Sequence, residues 1–132
     1  MIHEAYAYVV REYDGQKQLF VVEQTDEQIV RIPSGVVIHD EDWADVILRK
    51  LADETGLQHA SIQRFLTSDY AEKNGTRINR HFYLLKVADV QHAWTYSPKE
   101  APSTTLQCYW ISEQELEKVQ KPMADYAYLA FQ

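Results

Sequence analysis

The chain has 132 residues, 45% of them hydrophobic, with 13 Lys and Arg against 20 Asp and Glu for a net charge of −7. That length suits one domain, spanning 1–132, and the composition excludes a disordered or fibrous class. So acidic a surface is a poor non-specific partner for nucleic acid, since phosphate binding rests on clustered Lys and Arg, and suits instead anionic ligands that arrive with a metal cation.

The N-terminus, "MIHEAYAYVV", is too short and too polar for a signal peptide, and no apolar run approaches 18 residues, so no membrane partner is expected. Residues 4–12 and 18–24 are rich in aromatic and β-branched residues, and the "DG" at 14–15 between them predicts a hairpin. A short strand, "IVRIP" at 29–33, leads into "SGVVIHDED". A helix follows, with Asp40, Glu41 and Asp42 at its start, where anions are favoured, an apolar side made by Val46, Ile47, Leu48 and Leu51, and Gly56 as its C-cap. Two long strands, "IQRFLTSDY" and "RINRHFYLLKV", flank "NG" at 74–75, which predicts a second hairpin; the "NGT" there is read as a turn and not as a glycosylation site. Residues 89–104 read as a loop with Pro98 and Pro102. "TLQCYWI" is a further strand, and its Cys108, the single cysteine, excludes a disulfide framework, fits a reducing, cytoplasmic setting and reads as a small buried hydrophobe. Ser112 and Glu115 form a capping box that opens a helix, and Pro122 restarts a last helical stretch. These elements predict an α+β fold with a mixed sheet.

The predicted first helix breaks a local rule at its end. Cations are favoured at a helix C-terminus, yet Asp53 and Glu54 occupy the last turn. Lys50, Asp53 and Glu54 stand at i, i+3 and i+4, so they share one helical face. Stacked carboxylates suit a hard cation such as Mg²⁺, which takes one or two carboxylates together with substrate phosphate oxygens. The alternative is that Lys50 pairs with Asp53 and Glu54 on a solvated face.

The wider spacing runs Gly35, five residues, Glu41, seven residues, then Arg49, Lys50, Leu51, any residue, Asp53, Glu54, any residue, Gly56, Leu57. This resembles the Nudix box of the Nudix hydrolase (MutT-like) family: glycine, five residues, glutamate, seven residues, Arg-Glu-aliphatic-x-Glu-Glu-x-Gly-aliphatic. Seven of the nine specified positions match over 23 residues, Asp53 is conservative, and Lys50 reverses the charge of a box glutamate. Ser34, Ile38, Val46 and Ile47 depart from residues usual near the box. The resemblance implies a Nudix-type α/β/α sandwich and hydrolysis of a pyrophosphate bond in a nucleoside diphosphate derivative, with Mg²⁺ or Mn²⁺ held by Glu54 and Asp53. It further implies that Arg49 orients the carboxylates, that Gly35 permits the loop before the helix, and that Glu41 sits near the metal. Lys50 in place of a glutamate implies weakened metal binding and reduced or atypical activity. The rival reading is a non-catalytic module of the same fold that binds a nucleotide-like ligand or a protein partner; a fold with no ligand is a third.

Outside the box, Glu100 and Glu72 are candidates for a further carboxylate. Arg77, Asn79 and His81 alternate onto one strand face and could hold phosphate or form an exposed polar face. Trp94, Tyr96 and Trp110 could stack on a base or simply pack. His3, His39, His59 and His92 have no metal-ligand spacing. A homodimer is compatible with nine tyrosines in so small a chain.

Overall fold

The computed structural model describes residues 1–38, 40–88 and 91–132; His39 lies outside them. The sheet is built from β1 Ile2–Tyr13, β2 Gln16–Gln24, β3 Ile29–Arg31, β4 Ser34–Val37, β5 Ser61–Lys73, β6 Thr76–Lys86, β7 Ala93–Tyr96 and β8 Leu106–Ile111, with the helix α1 Trp43–Thr55 between β4 and β5. The main path runs β5-β6-β1-β2-β8-β7, with β3 beside β2 and β4 beside β1. Only the β1–β6 pair is parallel among those described, so the sheet is mixed, as expected.

Both predicted hairpins form. Asp14 and Gly15 have φ of 53° and 76°, and Asn74 and Gly75 of 53° and 79°. Positive φ at both central residues gives the turn whose twist matches the flanking strands.

The central strands are buried on both faces, which is why they read as continuous apolar runs. Successive side chains of β1 go to opposite faces. Ala5, Ala7 and Val9 join Phe20, Val22, Leu85 and Cys108 beneath Val46, Ile47 and Leu51 of α1. Tyr6, Tyr8 and Val10 join Leu19, Val21, Ile32 and Phe82 beneath Val119, Ala127 and Ala130. The sheet is thus sandwiched between α1 and the C-terminal segment. Cys108 is buried, and burial pushes its thiol up to about 12.

Three expectations are corrected. The stretch read as a loop at 89–104 contains β7, which pairs with β8 through Trp94↔Cys108 and its neighbours. "SGVV" is a strand, β4, paired with β1. The C-terminal helices are 3-10 turns, Glu113–Lys118 and Ala127–Phe131. The first has only six residues before Val119 is drawn into a bridge with Val30 and the Gln120 amide donates to the Val30 carbonyl at 2.8 Å. So short a segment tightens into i→i+3 bonds. The capping partner is in place: the Glu115 carboxylate accepts from the Ser112 amide at 3.0 Å. Among the described residues no helix is long and apolar enough to cross a membrane.

Candidate functional site

The site is built at the C-terminal end of α1. Asp42 caps the helix start, accepting from the Ala44 amide at 2.8 Å. At the other end the Gly56 amide donates to the Ala52 carbonyl at 2.9 Å, with Gly56 at φ 76°. Thr55 is buried; its hydroxyl donates to the Leu51 carbonyl at 2.6 Å and accepts from the Leu57 amide at 3.2 Å. Trp94 of β7 donates its indole N–H to the Thr55 carbonyl at 2.7 Å. These bonds fix the last turn, which contains no basic residue.

Lys50, Asp53 and Glu54 emerge from this turn into a cavity of about 240 Å³, which Arg31 of β3 and Glu100 also line. Gln24, Thr104 and Leu106 complete much of its wall. A neighbouring cleft of about 380 Å³, lined by Gly56, Gln58, His59, Trp94 and Tyr96 among others, is larger but carries no carboxylate, Lys or Arg. Chemistry therefore favours the smaller one.

Lys50 does not pair with Asp53 or Glu54. Its ammonium reaches Glu100 at 3.4 Å, fifty residues along the chain. Its stem lies over Gly35, so close that a Cβ on Gly35 would stand 2.6 Å from Lys50 Cγ. Among the described residues no ion pair holds Asp53, Glu54 or Arg31. Burial pushes the Glu54 carboxyl above its ordinary value; the charges of Arg31 and Lys50 pull it down, while Glu100 and Asp53 push it up. Glu54 is a half-buried carboxylate with no ion pair or side-chain hydrogen bond among the described residues, which leaves it open to a ligand.

The other expected residues lie elsewhere or serve differently. Arg49 holds Glu41, Nη1 to Oε2 at 2.9 Å, and Glu41 also accepts from the Ile38 amide at 3.1 Å. The pair pins the loop before α1 and does not line the cavity. Gly35 sits in β4 with no left-handed backbone; it makes room for Lys50, not for a turn. Arg77 donates to Asn79 at 3.1 Å and lies 4.0 Å over the Tyr70 ring. His81 Nε2 is 3.1 Å from His3 Nδ1 and its ring stacks on Trp43 at 3.9 Å; burial first, then the His3 charge, lowers its pKa. Glu72 is opposite Arg77 in the β5–β6 ladder. Trp94 stacks on Phe20, the Tyr96 ring abuts Gly56, and the Trp110 indole donates to the Gln91 carbonyl, so all three aromatics pack against the fold. His92 contacts Arg11 and the Tyr13 ring.

Arg31 is absent from the sequence-based set. A cation between Val30 and Ile32, in a strand otherwise apolar, was the available signal.

The NUDIX domain family model matches residues 2–130. No curated protein matches the chain in sequence. Among solved structures, it is similar to the Ap4A hydrolase of C. elegans, with a TM-score of 0.65 and 18% identity over 98% of this chain and 91% of that one. It is similar to RenU, a Nudix hydrolase from M. smegmatis, with a TM-score of 0.73 and 12% identity over 96% and 81%. It is also similar to the NUDIX domain of Shewanella oneidensis NrtR complexed with ADP ribose, with a TM-score of 0.64 and 14% identity over 98% and 84%.

Proposed function

This chain belongs to the NUDIX domain family, and on that footing we propose that residues 1–132 act as one domain that hydrolyses a pyrophosphate bond in a nucleoside diphosphate derivative, with reduced or atypical activity. The observation that carries the reading is the delivery of Asp53 and Glu54, neither in an ion pair among the described residues, into a cavity with two cations on its wall. ADP ribose, named with the S. oneidensis domain, is a ligand of the chemical class proposed here. We also propose a reducing, cytoplasmic setting, a reading that rests on the chain having a single cysteine.

A divalent cation fits the carboxylates in a limited sense. Burial disfavours the ionised form of Glu54, and a dication beside it would lift that penalty. Among the described residues no group of three or more His, Cys, Asp or Glu is arranged to hold a metal ion. The donor set therefore suits Mg²⁺ or Mn²⁺ shared with ligand phosphates, and not a cation held by protein alone. When bound, such an ion supplies charge neutralisation on the diphosphate and activation of a water. The chain's own contribution is positional. Gly56 and Thr55 fix the turn that presents the carboxylates, and the Arg49–Glu41 pair holds the preceding loop against α1. Lys50, aimed at Glu100, leaves the box one carboxylate short, which is what supports reading the activity as reduced.

The test is a panel of nucleoside diphosphate derivatives incubated with Mn²⁺, alongside a calorimetric Mn²⁺ titration. Wild type should turn over at least one of them, and Glu54→Gln should lose both Mn²⁺ binding and turnover while keeping its fold. A protein that binds ligands of this class but hydrolyses none would be a non-catalytic module of the same fold.

A further inference from the structure

We propose that Arg31 and Lys50 form a clamp that binds the diphosphate of the ligand directly, without a metal ion. The proposal rests on the reading above for the site and goes beyond it in naming the residues that recognise the anion.

Arg31 shares its cavity with three carboxylates, Asp53, Glu54 and Glu100, and among the described residues its side chain pairs with none of them within 4.0 Å and makes no side-chain hydrogen bond. If its purpose were to neutralise the wall, it would be paired. A guanidinium offers five N–H donors in a rigid fork, and because no buried side-chain nitrogen among the described residues lacks a partner, the donors of Arg31 are open to an arriving anion. That fork matches two oxygens of a phosphate in a way an ammonium cannot. The strand holds the residue in place: Arg31 is opposite Val22 in the β2–β3 ladder, and the next residue, Ile32, is fully buried.

Lys50 supplies the second cation, and its position is fixed by the backbone beneath it. The stem rests on Gly35, while the ammonium makes only a 3.4 Å pair with a carboxylate whose side chain is 76% exposed. Exposed pairs of this kind contribute little, so an arriving phosphate displaces Glu100 at small cost. Gln24 and Thr104 add neutral polar groups to the same wall. The two box carboxylates oppose an anion, and the clamp works against them; this is the balance the experiment reads.

Metal-stripped protein is titrated with inorganic pyrophosphate in EDTA by calorimetry. Wild type should bind. Arg31→Gln should weaken binding at least tenfold, Arg31→Lys should recover only part of the loss, and Lys50→Gln should weaken it as well. Asp53→Asn should tighten it, since it removes a repelling charge. Thermal melts check that the variants fold, and if Arg31→Gln does not, Arg31→Lys carries the comparison. Unchanged affinity in the Arg31 variants, or wild-type binding that appears only when Mg²⁺ is added, overturns the clamp. The hydrolysis panel separates this outcome from the functional reading. Arg31-dependent binding with no turnover keeps the clamp and removes the hydrolase, and turnover with binding indifferent to Arg31 does the reverse.

Discussion

Glu54 shows how a single side chain links the site to stability. Burial raises its pKa above the ordinary glutamate value, so the folded state holds the proton more tightly than the unfolded chain does. Its protonated form therefore favours folding below the unfolded pKa, and that contribution is lost as pH rises through the folded one. The ionised form opposes folding, and the unfavourable helix end adds to the effect. Glu54→Gln should accordingly be more stable than wild type at pH 7, with the gap in urea midpoint shrinking toward pH 4. A gap that is constant across this range would remove the burial penalty from the account. Gly35 makes a complementary point. Its backbone is that of an ordinary strand, and its missing side chain serves the stem of Lys50.

At the level of elements, α1 depends on its glycine twice over. Gly56 has φ of 76°, and a Cβ there would lie 2.8 Å from Cε1 of Tyr96 on β7. The first term costs an alanine about 1 kcal/mol through left-handed strain, and the second adds about 1–3 kcal/mol of overpacking. Gly56→Ala should lose about 2–4 kcal/mol in chemical denaturation. In a Tyr96→Ala background the same substitution should cost only about 1 kcal/mol, because the strain remains and the clash is gone. Equal costs in both backgrounds would mean that the contact carries no energy. The cap thus couples the turn bearing Asp53 and Glu54 to an edge strand some forty residues away.

Across the whole molecule, the C-terminal segment is tied to the β5–β6 hairpin through Asp69. Arg80 donates Nε to Oδ1 at 2.6 Å and Nη2 to Oδ2 at 2.9 Å, and the Tyr126 hydroxyl donates to Oδ2 at 2.8 Å. Both charged side chains are mostly shielded, at 14% and 21% exposure. Removing the carboxylate leaves a cation and a hydroxyl without their acceptor. Asp69→Ala should therefore cost about 2–3 kcal/mol, somewhat less than a fully buried pair. Replacing Arg80 by Met as well should recover part of that loss, since no lone charge is then left behind. A single variant within about 0.5 kcal/mol of wild type, the range of ordinary surface changes, would show that the C-terminal segment is held by apolar packing alone.

What the sequence by itself determined is local. The two hairpin turns, the ends of α1 and the shared face of Lys50, Asp53 and Glu54 all follow from backbone preferences and from side chains within four residues of one another, and the box is a fixed linear spacing over 23 residues. Central strands were legible because burial on both faces leaves unbroken apolar runs. Short strands were legible only in part: the three residues of β3 were expected, but the four residues of β7, just ahead of Pro98, carry too little pattern, and only the ladder with β8 makes them a strand. The partners of charged groups were also beyond the sequence. Lys50 finds Glu100, Arg49 finds Glu41, and Arg31 arrives beside Glu54, because strand register and the packing of α1 on the sheet bring together residues that chain order keeps apart. Arg77 and His81, which alternate toward a common face in the sequence, are taken up by Asn79, Tyr70, His3 and Trp43 for the same reason. A side chain's partner is fixed by the whole set of crossings around it, and that set exists only in the folded chain.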